Sequence, residues 1–418
     1  MNVAIMGFGV VGSGVAEVIA QNADHISEQG LGDLRLSHIL DIRDFPGHAF
    51  SRYMTKDVND ILSDDETRIV VETMGGLEPA FTFVSACLKK GKHVVTSNKE
   101  LVAKKGFALL ELACANNVNF LFEAAVGGGI PLIRPLSLCL AANRVQEIAG
   151  ILNGTSNFIL SKMITDGMAF GDALRLAQEK GYAEKDPTAD VEGIDACRKI
   201  CILASLASGS HVYPDGVFTE GITRLTKEDV AYAEALGCVI KLIARAVRLQ
   251  NGQWCVTVAP ALVPESHLLS DVSGVFNACV VRGDMVGEVL FYGQGAGKLA
   301  TASAVVADVI DCVQHDEKRR TFGWGPAREG LLADPMEAPA RLFVRAKTAD
   351  KAADTAKLAA ALPGCTLLES AEDDLVFVTP EAKEGALRSA AAGLGLGAAS
   401  VIRLVCISVI ESLPYKSG

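Results

Sequence analysis

Hydrophobic positions in the first 130 residues fall into short β-branched runs separated by stretches with helical spacing. Asn2-Val-Ala-Ile-Met6 is the first run. A glycine turn, Gly7-Phe-Gly9-Val-Val-Gly12, separates it from a segment beginning at Gly14 that reads as helix. Leu36 to Ile42 and Ile69 to Met74 are further strands, the latter ending at Gly75-Gly76. Pro79 to Lys90 has helical spacing and stops at Gly91. His93 to Thr96 is a strand that ends at Ser97-Asn98-Lys99, Glu100 to Ala115 a helix, and Val118 to Glu123 a strand. Strands alternating with helices predict a parallel sheet wound on both sides. Ligands bind such sheets at the carboxyl ends of their strands, where the loops 72–76, 97–99 and 123–131 all fall.

Further along, Gly181 to Lys199 places Glu184, Asp186, Asp190, Glu192 and Asp195 just before Arg198 and Lys199. Pro187 restrains the entry. Asp190 is expected to cap or begin a helix running through Ile200 to Leu206, with Asp195 and Lys199 four apart on one face. After Trp324-Gly-Pro the pattern changes to strand 340–346, helix 351–362, strands 365–369 and 375–379, helix 381–392 and strand 400–406. The order β-α-β-β-α-β fits a ferredoxin-like unit with its own core.

Composition narrows the function. The formal net charge is −11 with no dense Lys/Arg run, which argues against a nucleic-acid partner. Apolar stretches take on glycine or charge before spanning length, and Met1 leads straight into the first strand, leaving no room for a signal peptide. The eleven cysteines, Cys406 the last, are dispersed without a CxxC pair, so reduced thiols in a cytoplasmic protein are expected.

The opening strand, glycine turn and helix form the context a dinucleotide fingerprint requires. Gly7 permits the tight turn, Gly9 lets the backbone approach a pyrophosphate, and Gly12 lets the helix pack close. Asp41, Arg43 and Asp44 follow the second strand. An acid there would bind a ribose 2′-OH and an arginine a 2′-phosphate, so NAD and NADP both remain open. The acid-rich turn running into a helical lysine suits a small cationic substrate and a proton-transferring amine, although such an Asp–Lys pair is elsewhere often a solvated surface pair.

With these motifs in hand the chain resembles homoserine dehydrogenases. The resemblance rests on residues 7–12, 72–76, 93–99, 123–131, 150–160, 181–199 and 293–303, which together span roughly residues 1–320. Ser97 stands where the family often has alanine, and Cys197 is at a variable position. The resemblance implies NAD(P)H-dependent interconversion of L-aspartate 4-semialdehyde and L-homoserine, within threonine, methionine and isoleucine biosynthesis. It implies three domains: a Rossmann-type nucleotide-binding domain over 1–130 completed by about 293–320, a central α+β catalytic and dimerisation domain over 131–292, and a ferredoxin-like, ACT-like domain over 338–410.

Residue by residue, the resemblance makes Lys199 the catalytic acid, with Asp195 and Lys99 as its catalytic companions. Glu184, Asp190, Asp195, Thr155, Gly181 and Tyr182 would hold the substrate. Gly7, Phe8, Gly9, Val10, Val11, Gly12, Arg43, Thr73, Met74, Gly75, Ser97, Lys99, Gly295 and Gly297 would bind NADPH or NADH. Glu123, Val126, Gly128 and Ile130 resemble a structural site for a monovalent cation, Na or K, against the alternative of a close-packed turn without an ion. An amino-acid effector is implied for the ACT-like domain, but the turn Lys347-Thr-Ala-Asp-Lys351 lacks the glycine that usually lets an amino acid approach, so a purely oligomeric role stands beside it. A homodimer or homotetramer is implied. The competing readings are a non-catalytic nucleotide-binding sensor and a reductase of another small amino-acid aldehyde.

Overall fold

The computed structural model describes residues 1–395 and 397–404, with the side chains of 397–399 left aside. The chain divides into two compact units. One takes Met1–Val145, Arg198–Asp215 and Arg282–Arg328, the other Gln146–Cys197, Gly216–Val281 and the described residues from Glu329.

The first unit opens with β1 (Asn2–Met6), α1 (Val10–Glu28), β2 (Arg35–Leu40), β3 (Met54–Thr55), α2 (Val58–Ser63), β4 (Thr67–Glu72), α3 (Ala80–Lys89), β5 (His93–Thr96), α4 (Lys99–Ala115), β6 (Phe120–Leu121) and α5 (Ala124–Gly127). Its strands pair in parallel in the order β3-β2-β1-β4-β5-β6, a Rossmann-type sheet. The carboxyl ends of β1 and β4 therefore flank the point where the winding reverses. Val3, Ile5, Ile69 and Val71 are fully buried and share a core with Val15 and Ile19 of α1. Strands covered on both faces read as continuous apolar runs, which made them visible in the sequence. β3 and α2, two and six residues long, were too short to show a period. The strand expected over 118–123 shrinks to β6, because Glu123 already turns into α5.

The chain continues with β7 (Val145–Ile151), α6 (Gly154–Thr165), α7 (Phe170–Glu179), α8 (Thr188–Val191), α9 (Ile194–Ser208), β8 (Phe218–Thr219), α10 (Lys227–Ala235), β9 (Cys238–Arg248), β10 (Trp254–Pro264), β11 (Phe276–Gly283), β12 (Gly287–Gln294) and α11 (Lys298–Gln314). The last stretch holds β13 (Pro339–Ala340), β14 (Leu342–Lys347), α12 (Lys351–Ala361), β15 (Thr366–Leu367), β16 (Asp374–Val378), β17 (Ala382–Lys383), α13 (Glu384–Gly393) and β18 (Gly397–Leu404).

α11 returns to the first unit and packs Ala302, Val305 and Val309 into the core that holds Val15. Trp324, at the composition break, is an anchor in that unit. Its Nε1 donates to His211 Nδ1 at 3.1 Å, and its ring rests on Gly106, where a Cβ would approach to 3.2 Å.

In the second unit the sheet runs β11-β7-β9-β10-β18-β14-β16-β15, with β8 also on β10. β9 and β10 form a long antiparallel hairpin from Cys238↔Pro264 to Arg248↔Trp254. The last four strands, with α12 and α13, have the ferredoxin-like order 4-1-3-2. They enclose a core of Leu342, Val344, Leu358, Leu375, Phe377 and Leu387. The sheet nevertheless does not stop there, since β18 pairs with β10 at Ala261↔Arg403 and Leu262↔Leu404. Val405 and Cys406, expected to end that strand, lie outside the described residues. The described cysteines are all free thiols, and among the described residues no helix is long and apolar enough to cross a membrane.

Candidate active site

Three glycines shape the turn after β1, each differently. Gly7 has a φ of 94°, and a Cβ there would come 2.9 Å from the Met74 nitrogen. A Cβ on Gly12 would meet the Gly7 carbonyl oxygen at 1.9 Å. Gly9 is the opposite case: nothing lies within 4 Å of its Cβ position. That open space lies at the start of α1, where unpaired peptide N–H groups favour an anion. The Thr73 hydroxyl donates to the Gly7 carbonyl at 2.8 Å and fastens the second loop to the first. The cradle fits the pyrophosphate of a dinucleotide. Val10 is exposed and Val11 half-buried beside it. Phe8 is turned inward, its ring edge-on to Phe45 at 5.0 Å, and its N–H donates to Asp41 at 2.7 Å.

Asp41 is fully engaged. Arg43 donates to it from Nε at 2.9 Å and from its terminal nitrogen at 2.8 Å, and the Arg43 peptide N–H adds a bond at 2.9 Å. The side-chain bond from Arg43, helped by the backbone bonds from Arg43 and Phe8, pulls the Asp41 pKa down to about 2 against desolvation. Arg43 itself is exposed, with Phe45 under its guanidinium at 5.2 Å.

The next two loops share one buried acid. Glu72 accepts from the Met74 N–H at 2.7 Å, the Gly75 N–H at 3.3 Å and the Thr96 hydroxyl at 2.6 Å. Burial pushes its pKa up, opposed by these bonds. Asn98 caps α4 by accepting from Leu101 N–H at 3.1 Å and donates to the Gly76 carbonyl at 2.7 Å. Ser97 and Lys99 are thus placed by Glu72 and Asn98, neither of which the sequence reading singled out. An asparagine directly before a helix is a legible cap signal. Glu100 then receives Arg198 at 2.9 Å and Lys104 at 3.0 Å, which ties the start of α4 to α9. Lys199, on the turn of α9 beside Arg198, is 7 % exposed.

The acid-rich segment folds as two helices where one was expected. Gly193, with φ 77°, separates α8 from α9, and a Cβ there would press on Val258 at 3.1 Å. Asp190 sits in α8 and Asp195 in the first turn of α9, four residues before Lys199. Asn153 brings the two acids together: its Nδ2 donates to Asp190 at 2.7 Å and to Asp195 at 2.9 Å. Thr155 donates to the Tyr182 carbonyl at 2.7 Å, and Phe158 meets the half-exposed Tyr182 ring edge-on at 5.0 Å. Gly181 supplies a positive φ of 74° after α7. Glu184 is exposed nearby. Asp186 caps the turn at Thr188 and Glu192 accepts from Thr223.

Glu123 is drawn into capping. Its carboxylate accepts from the peptide N–H groups of Leu132, Ile133 and Arg134 at 2.6, 2.8 and 2.8 Å. Gly128, with φ 59°, sits where a Cβ would be 2.3 Å from the Gly295 carbonyl oxygen, and Gly297 begins α11. The loops 123–131 and 293–297 therefore touch within the first unit. Val126 and Ile130 are buried there.

Comparison with known proteins gives one answer. The homoserine dehydrogenase NAD-binding profile matches residues 7–123 and the homoserine dehydrogenase profile residues 131–310. The chain is 42% identical over 371 residues to a homoserine dehydrogenase of Neisseria gonorrhoeae, covering 87% of this chain and 85% of that one. It is 44% identical to that of Pseudomonas aeruginosa over 315 residues, 75% of this chain and 72% of the relative. Among solved structures, a homoserine dehydrogenase from Thiobacillus denitrificans superposes with a TM-score of 0.90 at 39% identity, covering 97% of this chain and 98% of that one. A hyperthermophilic archaeal homoserine dehydrogenase in complex with NADPH superposes with a TM-score of 0.64 at 28% identity, over 75% of this chain and 97% of that one. The chain belongs to the homoserine dehydrogenase family and is an NAD(P)-dependent oxidoreductase that interconverts L-aspartate 4-semialdehyde and L-homoserine.

Proposed function

We propose that Lys199 transfers the proton of this reaction and that the acids of 184–195 select its amino-acid substrate. The observation that carries the reading is the arrangement of Asp190 and Asp195 on one amide nitrogen, Asn153, with Lys199 one turn along the helix of Asp195. Bound nicotinamide supplies or accepts the hydride. Lys199 gives its proton to the substrate oxygen during reduction and takes it back during oxidation. Asp195 orients the substrate oxygen or the lysine ammonium. Glu184 and Asp190 hold the substrate ammonium, while Thr155, Gly181 and Tyr182 line its surroundings. Lys99, at the first position of α4 after the Glu72–Thr96 network, lies at the carboxyl edge of β5 and serves the nicotinamide side.

For the cofactor we favour NADP over NAD. Asp41 is already saturated by Arg43 and Phe8, so it is a poor partner for a ribose hydroxyl, whereas exposed Arg43 commits only two of its five guanidinium hydrogens to Asp41 and has others to offer a 2′-phosphate. A sodium or potassium ion at 123–130 would take the backbone carbonyls of Val126, Gly128 and Ile130 beside Glu123. The three N–H bonds on Glu123 and the guanidinium of Arg134 at 3.9 Å leave that carboxylate little capacity for a cation, so any ion is weakly held and structural. Exposed Met285, Leu290 and Tyr292 on and beside β12 support a homodimer or a homotetramer. The test is NADPH and NADH oxidation with aspartate semialdehyde, beside homoserine oxidation. Turnover with a longer or shorter amino-acid aldehyde in preference to aspartate semialdehyde would overturn the substrate assignment.

A further inference from the structure

Asn153 takes no part in the proton or hydride transfer, yet it stands at a junction of three helices. It ends the link from β7 and is the N-cap of α6, its Oδ1 accepting from the Ser156 N–H at 2.8 Å. The same side chain sends its Nδ2 to Asp190 on α8 and Asp195 on α9. One amide therefore ties the starts of three helices, and it is only 5 % exposed. A primary amide nitrogen carries two hydrogens and no acceptor, so both carboxylates must offer it a lone pair. The chain is confined around this point. A Cβ on Gly154 would come 2.6 Å from the Val275 carbonyl oxygen, so the backbone that delivers Asn153 has no room to shift.

We infer that Asn153 is a positioning residue for substrate recognition. It holds Asp190 and Asp195 together as hydrogen-bond acceptors, and so sets the spacing of the two acids that meet the amino-acid substrate. This rests on the assignment of Asp190 and Asp195 to the substrate. Carboxylates brought close repel each other unless a donor is shared between them. A shared neutral donor offsets that repulsion and adds no charge of its own between the two acids. A lysine or arginine there would quench the charge that the substrate must feel. A serine would keep the helix cap but could not reach both acids with one hydrogen.

Capping and bridging are separable by mutation. Asn153→Ser and Asn153→Asp both retain a good N-cap, and both lose the amide donor. The expected result is that KM for homoserine rises by about tenfold to a hundredfold, the scale of one lost hydrogen bond to a charged group. The Kd for NADPH should stay close to that of the wild type in both variants, and so should the melting temperature of Asn153→Ser. Asn153→Asp, which adds a third carboxylate, should be the more severe. In the double variant Asn153→Ser, Asp190→Asn the effects on KM should be strongly non-additive, because the two residues form one interaction. KM within twofold of wild type in both single variants overturns the inference. So does additivity in the cycle, or a fall in melting temperature and NADPH affinity that accounts for the lost activity. Asp190→Asn and Asp195→Asn separate this from the parent reading. If those two variants also leave KM and kcat unchanged, the assignment of the acids has failed; if they impair substrate use and the Asn153 variants do not, only the role of Asn153 has failed.

Discussion

Two residues give the site its sharpest individual tests. Lys199→Ala should lower kcat by about 10²–10⁴-fold, the usual worth of a positioned acid, while NADPH titration remains near wild type; turnover within a few-fold of wild type would remove the lysine from the chemistry. Gly9→Val should act in the reverse sense. The Cβ position of Gly9 is open and its φ is −82°, so the fold accepts the side chain and the pyrophosphate does not. Nucleotide fluorescence should then show weakened binding with an unchanged melting temperature. His211 offers a test by pH. Burial lowers its pKa to about 4 from 6.5, and its Nδ1 accepts the Trp324 hydrogen bond. The folded pKa is depressed, so the unfolded chain binds more protons between about 6.5 and 4. This contribution to stability is present above the unfolded pKa and fades as pH falls through that window. Melting curves of wild type and His211→Gln should therefore converge as pH falls from about 7 to 4. A constant gap would mean that His211 does not titrate there.

At the scale of elements, the break between α8 and α9 carries a prediction of its own. Gly193→Ala forces a side chain into φ 77° and toward Val258. It should cost about 1 kcal/mol or more in thermal denaturation and raise KM for homoserine as Asp190 shifts against Asp195. Elements of this kind also mark the boundary of what the sequence discloses. The first sheet was legible because its strands are buried on both faces and end in glycine or polar loops. The steric tasks of Gly7 and Gly12 were legible from the strand, turn and helix around them, and each would meet backbone if given a Cβ. The helix break at Gly193 was hidden because its acids and apolar residues keep helical spacing on either side, and only the contact with Val258, distant in sequence, requires the turn. Asn153 was hidden for a similar reason. It lies within a motif that was noticed, but the partners that give it meaning are 37 and 42 residues away. Glu123 was legible as a loop carboxylate, while its three peptide partners appear only once the chain folds back on it.

For the whole molecule, the composition break at Trp324 suggests a removable C-terminal unit, and the sheet argues otherwise. β18 lies on β10, the Trp254 N–H donates to the Leu331 carbonyl and the Ala333 N–H to the Trp254 carbonyl. Arg345 and Asp229 form a buried ion pair at 2.8 Å across from β14 to α10. Removing the chain after residue 328 would strip β10 of a neighbour and leave Asp229 without its guanidinium. The truncated chain should be poorly soluble or melt well below the full chain, and an equal melting temperature would show that the unit is dispensable. The turn before α12 is filled by its own side chains: Thr348 donates to Asp354 and Lys351 to the Ser370 carbonyl. Homoserine oxidation by the full chain should accordingly respond weakly to threonine, and submillimolar inhibition would show a usable effector site.

The same continuity limits how this chain can be recombined. Arg403 stacks on Phe218 at 4.4 Å and bonds Glu384. Phe218 belongs to β8, and three residues after that strand the Ile222 N–H binds the Val191 carbonyl at 2.8 Å, next to Asp190. A C-terminal segment transplanted from a relative would bring a foreign final strand and a foreign cation to that strand, and so would carry its mismatch to the doorstep of the acids. Hybrids joined at Trp324 should be viable only when β8, β10 and the C-terminal segment come from the same parent. Inheritance, for this molecule, follows the hydrogen bonds of a sheet and ignores the boundary that composition draws.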